Sequence, residues 1–219
     1  MKNKKLIIII CILVITAAII LLWANHNKAD GVDCNIAISS GLSIIRVEPY
    51  SGEYFESHAG NEVNNIASVI IENSGSDMIQ AGTVRMKTGT ETYEFYFTTL
   101  LPGEKMLVLE KNKAEFTNRL VSAEAELADA IYFAERPTMC DDAVEIKTEE
   151  NSIYVKNISD FALTGGHVFY KNIDAESGMY VGGVTYMATF DKLGVGEIAA
   201  ISADHYSPIT SKIVFVTYG

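Results

Sequence analysis

Four histidines, three cysteines and a few clusters of carboxylates are the residues of this 219-residue chain with chemistry to offer. A zinc-protease helix needs two histidines one turn apart with a glutamate between them. The stretch "HAGNE" (His58 to Glu62) has one histidine and the wrong spacing, and His26, His167 and His205 stand far from it in the sequence. No Gly-x-Ser-x-Gly elbow seats a nucleophile, and no Cys-x-x-Cys or Cys/His spacing suits zinc. "DAESG" (Asp174 to Gly178) alternates oxygen ligands ahead of a glycine, like part of a calcium loop, but the closing bidentate glutamate is missing. It reads as a solvated hairpin tip. "GMYVGGVTYM" (Gly178 to Met187) invites a phosphate-loop reading, yet neither a lysine nor a helix follows its glycines. A bulge or a close sheet approach at Gly182-Gly183 is the better account. The expectation is no catalytic residue, no metal and no cofactor.

Aromatic residues on a loop offer a different chemistry, that of recognition. "EPYSGEYFESHAGNE" (Glu48 to Glu62) is the least strand-like segment beyond the N-terminal region, and it groups Tyr50, Tyr54 and Phe55 with Glu53 and Glu56. Two readings stand: the three aromatics anchor a partner, or they fold back over the open end of a β-sandwich.

The elements that position these residues begin with "MKNKKLIIIICILVITAAIILLWANHNK". Residues 1–5 form a basic tail, and Leu6 to Trp23 is an uncharged run of eighteen residues. That is about the minimum that spans a bilayer core. It is longer than a secretory apolar region and has no small-x-small cleavage site, so an uncleaved signal anchor is expected. Lys2, Lys4 and Lys5 precede it, which leaves the N-terminus in the cytoplasm and the rest outside the cell membrane. Residues 24–33 read as a tether. The chain carries a net charge of −11, and all of its first 28 residues lack acids. Such an acidic remainder argues against nucleic acid as a partner. Cys34 and Cys140 are an even pair for an oxidising compartment and bracket a domain-sized segment, so a Cys34–Cys140 disulfide is expected.

Beyond the tether the hydrophobic period is two. "AVEIKTE" (Ala143 to Glu149) alternates, as does "VSAEAEL" (Val121 to Leu127), whose alternation is read as running on into Ile131 to Phe133. "SKIVFVTY" near the C-terminus is the clearest strand. Setting Asn73 on Asn157 aligns "SVIIENSGSDMIQAGTVRMKT" (Ser68 to Thr88) with "SIYVKNISDFALTGGHVFYKN" (Ser152 to Asn172), so that Val84 falls on Val168. Each copy then reaches Leu-x-x-Gly-Glu, at Leu100 to Glu104 and Leu193 to Glu197, with nine more residues in the second copy. A degenerate repeat of half-buried strands calls for two β-sandwiches, 34–139 and 140–219.

The second copy's "N-x-S-D", "V-x-Y", "Y-V-G-G", "L-x-x-G-E" and "S-K-I-V" resemble immunoglobulin-like modules of bacterial envelope proteins, of the FxLYD and CARDB-like groups. The resemblance covers Asp142 to Gly219 well and Val63 to Phe133 loosely. Where an FxLYD module carries Tyr-Asp, this chain has Lys171 and Asn172. The resemblance implies an all-β ectodomain of two immunoglobulin-like antiparallel sandwiches behind one transmembrane helix, with no family catalytic residues. The function expected is a non-catalytic, membrane-tethered binding or accessory module that meets an envelope protein or cell-wall component. Two alternatives stand beside it. One is an envelope enzyme whose site gathers His58, His167 or His205 with carboxylates at the domain junction. The other is a spacer stiffened by calcium at Asp141 and Asp142.

Overall fold

Fourteen strands carry the chain, and no helix interrupts them among the described residues. The computed structural model describes residues 31–56, 61–117 and 122–219. The apolar run Leu6 to Trp23 lies outside them; among the described residues no helix is long and apolar enough to cross a membrane.

The strands are β1 (Val32–Ser39), β2 (Leu42–Glu53), β3 (Glu62–Asn73), β4 (Ile79–Thr88), β5 (Glu91–Leu100), β6 (Lys105–Leu109) and β7 (Glu124–Tyr132). There follow β8 (Val144–Glu149), β9 (Ser152–Asn157), β10 (Gly166–Asn172), β11 (Tyr180–Val181), β12 (Tyr186–Phe190), β13 (Ile198–Ser202) and β14 (Ser211–Tyr218). One sheet runs β1-β2-β3-β6-β11 and its companion β5-β4-β7. In the second half the orders are β13-β9-β8 and β12-β10-β14. Taking β2, β3, β4, β5, β6 and β7 in turn as β8, β9, β10, β12, β13 and β14, the two halves share one topology. Each is β-sandwich-like, with alternate residues turned inward as the period of two requires. Ile44, Val69, Ile71, Val84, Phe95 and Val108 are buried in the first half. Ile153, Val155, Leu163, Val168, Tyr170 and Phe190 form the core of the second.

The repeat holds at the level of single atoms. Asn73 and Asn157 are buried, and each clips two turns together. Asn73 Nδ2 donates to Asp77 O at 2.7 Å and Leu100 O at 3.2 Å. Asn157 Nδ2 donates to Phe161 O at 2.8 Å and Leu193 O at 3.1 Å, the same positions of the repeat. Each carboxylate of the Leu-x-x-Gly-Glu corner accepts a backbone N–H three residues back: Glu104 from Leu101 at 2.7 Å, Glu197 from Gly194 at 2.6 Å. The corner glycines have φ of 85° at Gly103 and 78° at Gly196, a conformation that disfavours any side chain. An asparagine is suited to this clip because its amide both donates and accepts at a turn.

Two expectations are corrected here. The alternation of "VSAEAEL" does not run unbroken into Ile131 to Phe133, because the register between β4 and β7 shifts between Thr83 and Val84. Ala128 is the extra residue, so the phase flips and Ile131 faces solvent; Tyr132, beyond a second register shift between Ile79 and Ala81, is exposed as well. The Cys34–Cys140 disulfide is not formed: both thiols are free. Cys34 sits on the added edge strand β1, its thiol 3.5 Å from Ile44 O. Cys140 precedes β8 with its thiol 3.3 Å from Val216 O. The two residues bracket a domain in sequence but pack in different neighbourhoods, and burial pushes the Cys34 thiol pKa up.

Candidate functional site

The two segments that differ most between the copies meet in space. In the first copy β2 and β3 are joined through Tyr54, Phe55 and Glu56 instead of a tight turn. In the second copy the link from β10 to β12 has nine more residues than the corresponding hairpin of the first, measured between Gly82 and Phe97 and between Gly166 and Phe190. That extra chain carries β11, which leaves its own sandwich and pairs in parallel with β6, Tyr180 opposite Met106 and Val181 opposite Leu107. Met179 and Val181 pack on a small core of Tyr54, Ile66, Leu107 and Leu109.

Polar groups lock the joint. Glu56 accepts Gly183 N through both carboxylate oxygens at 2.8 Å, and Leu109 N at 3.0 Å. Gly183 O accepts Thr98 N at 2.7 Å, so the segment ties β6 to β5. A Cβ at Gly183 would stand 2.1 Å from Tyr96 O, which explains why the chain passes here as glycine. Lys171 is wholly buried beneath this crossing. Its ammonium donates to Thr98 O at 2.7 Å, Gly183 O at 3.1 Å and Thr185 Oγ1 at 3.3 Å. Burial pulls the Lys171 pKa down to about 7, against the opposing pull of Glu56 and Glu104. Burial likewise raises the Glu56 carboxyl, its hydrogen bonds opposing. Tyr180 is buried beside Lys171, its hydroxyl donating to Glu104 Oε1 at 3.1 Å and its ring 5.7 Å from Lys171 Nζ. Val32–Gly219 is one compact unit, and at this joint a strand of the second half joins a sheet of the first.

Beside the joint lies an open groove of about 680 Å³. Glu53, Glu150, Asp174, Glu176 and Asp204 make it acidic, and Phe55, Tyr186 and Tyr206 give it aromatic walls. His205 lines it, its ring 5.5 Å from that of Tyr186. His167 does not; its Nδ1 lies 3.0 Å from Thr189 Oγ1. His58 is outside the described residues. Among the described residues no three His, Cys, Asp or Glu side chains are placed to hold a metal ion. Asp174 is occupied in its own turn, accepting Ser177 N at 2.8 Å and Ser177 Oγ at 2.7 Å, which lower its pKa.

Tyr50, Tyr54 and Phe55 take different directions. Tyr54 is buried, its hydroxyl donating to Glu110 O and Lys111 O at 3.1 and 3.0 Å, with Lys113 Nζ 4.5 Å from its ring. Tyr50 donates to Glu53 O at 2.9 Å and leans on Phe55, the ring centroids 6.0 Å apart. Only Phe55 of the three lines the groove.

A second surface was not singled out by motif. Ile158, Phe161, Val195 and Ile198 surround the Asn157 clip with exposures of 46%, 49%, 61% and 61%. At the same positions around Asn73 the first copy has Ser74, Asp77, Pro102 and Lys105. The signal was present in the aligned copies, as apolar residues in the turns and at the start of β13 whose counterparts are polar or proline. No protein-family model matches the chain and no curated protein matches it, so the resemblance to FxLYD and CARDB-like modules rests on the quoted motifs alone.

Proposed function

We propose that this protein is a non-catalytic binding module of the cell envelope. Leu6 to Trp23 anchors it in the membrane, and two immunoglobulin-like sandwiches, 34–139 and 140–219, stand outside the cell. The observation that carries the binding role is the apolar end of the second copy. Turns are ordinarily polar, and four exposed apolar residues gathered about one clip mark an interaction surface. The matching turns of the first copy show that the scaffold itself does not require them. A protein surface is the partner such residues suit, because its apolar groups leave water on contact. The membrane anchor and the orientation rest on the sequence, through the eighteen-residue apolar run and the lysines before it.

Site-specific photo-crosslinking in intact cells tests this reading. A photoreactive residue at Phe161 is expected to give a discrete adduct, and one at Asp77 none. Absence of any adduct from Ile158, Phe161, Val195 and Ile198 would remove the proposal.

A further inference from the structure

We propose that the free side of the second sandwich, where β13 faces β12, receives an extended strand from a partner protein, as the matching side of the first receives Tyr180 to Gly183. This rests on the reading of the protein as a binding module and names its mode. The equivalence of the two sides is fixed by register. Lys105 and Met106 of β6 lie opposite Glu72 and Ile71; Ile198 and Ala199 of β13 lie opposite Lys156 and Val155, the same distances from the clip asparagines.

In the first copy that side is closed. Gly182 N donates to Leu107 O at 2.9 Å and Thr98 N donates to Gly183 O at 2.7 Å, so one short segment bridges the edges of both sheets. Met106, Leu107 and Val108 beneath it are 0%, 8% and 0% exposed. In the second copy β13 and β12 are both terminal strands of their sheets. Their Ala199 and Ile201 are only half-buried and Ala200 is exposed. Between the two edges lies a cleft of about 480 Å³, lined by Tyr186, Met187 and Ala188 on one side and Ser202, Ala203 and Asp204 on the other.

Edge strands that must stay alone are usually guarded by charge, proline or a bulge. The opposite edge of the same sheet, β8, carries Glu145, Lys147 and Glu149; β13 reads Ile-Ala-Ala-Ile-Ser with no charge. By its equivalence to Leu107, Ala200 turns its N–H and C=O outward, available for strand addition. The first copy has nothing to send there, since β4 and β5 are joined by Gly89 and Thr90 alone. The occupant that fits is a parallel segment of two large apolar residues followed by glycine, the chemistry of Tyr180-Val181-Gly182-Gly183. The large side chains would cover the small Ala199 and Ala200, and the glycines would let the chain cross from β13 to β12.

The test uses the full chain and a fluorescent peptide with the sequence Ser177 to Thr185, read by anisotropy and by amide hydrogen exchange. Saturable binding is expected, with slowed exchange at Ala200 and Ser202. Ala200→Pro removes the outward N–H while leaving the inward-facing bonds to β9, and is expected to weaken binding at least tenfold. If that variant does not fold, the exchange pattern of the unaltered chain decides. Absence of saturable binding, protection confined to β6, or undiminished binding by Ala200→Pro would each overturn strand addition. The Phe161 crosslink is independent of these results, so its persistence would leave the binding role standing while this mode of binding fell.

Discussion

Lys87 and Lys171 stand at the same position of the two copies, fourteen residues beyond Asn73 and Asn157, yet one is exposed and the other wholly buried. Both lie near the end of the strand that follows the clip. What separates them is the chain laid over each. Nothing follows Lys87 but a two-residue turn, whereas Lys171 is followed by the long excursion that carries β11 across to β6. The comparison teaches that the shared scaffold is indifferent to this lysine and that the inserted segments give it a role. Lys171 helps hold the crossing together by donating to both Thr98 O and Gly183 O, with Glu56 and then Glu104 as the opposing charges.

Replacing Lys171 therefore has the largest expected effect. Lys171→Met removes a charged donor from Thr98 O and Gly183 O and the positive charge that offsets Glu56, for a loss of about 2–4 kcal/mol in denaturant unfolding. Lys87→Met is expected to change stability by less than about 0.5 kcal/mol. The pair also separates in pH. The unfolded chain keeps the Lys171 proton up to about 10.5, while the folded protein releases it from about 7. Between those values the unfolded state binds more protons, so stability rises with pH across that window. Lys171→Met is expected to abolish that rise and Lys87→Met to preserve it. An identical pH slope in both variants would refute the burial argument.

The clips come next in size, and there the copies should agree. Asn73→Ala and Asn157→Ala each strand buried turn carbonyls, at about 1–3 kcal/mol. Calorimetry of the two variants should give losses within about 1 kcal/mol of each other; a large excess at one site would show that the clips are not equivalent. This part of the fold was legible in the sequence, because an asparagine at a turn and a Leu-x-x-Gly-Glu corner are short-range devices that keep their spacing. The glycine–phenylalanine contact was not. Gly82 lies under the Phe97 ring and Gly166 under Phe190, but nine inserted residues put the two phenylalanines out of step. The joint escaped for a related reason. Glu56 and Gly183 are 127 residues apart, and no local pattern predicts a carboxylate that meets a distant glycine N–H. The β7 bulge was hidden as well, since a single extra alanine changes the phase of a strand without changing its composition. Of the candidate binding loop, the sequence grouped the aromatic residues but not their directions: Tyr54 turns into the core and Phe55 towards the groove.

The smallest expected effect on stability belongs to the surface on which the binding role depends. Giving the second clip the first clip's residues, by Ile158→Ser, Phe161→Asp, Val195→Pro and Ile198→Lys, removes exposed apolar area and few buried contacts. Phe161 has one neighbour that deserves care, the Tyr218 ring at 6.4 Å between centroids. Ile158→Ser and Val195→Pro should each stay within about 0.5 kcal/mol of the parent, and Ile198→Lys within about 1 kcal/mol. Val195 tolerates proline because Pro102 occupies the same corner of the first copy. Ile198→Lys differs from its counterpart, because Lys105 faces Glu72 at 3.0 Å whereas position 198 faces Lys156, and the like charges cost up to about 1 kcal/mol. Thermal melting checks this directly. A loss well above 1 kcal/mol in these three variants would mean that the apolar end serves folding, and the contrast between the two clips would then no longer point to a partner.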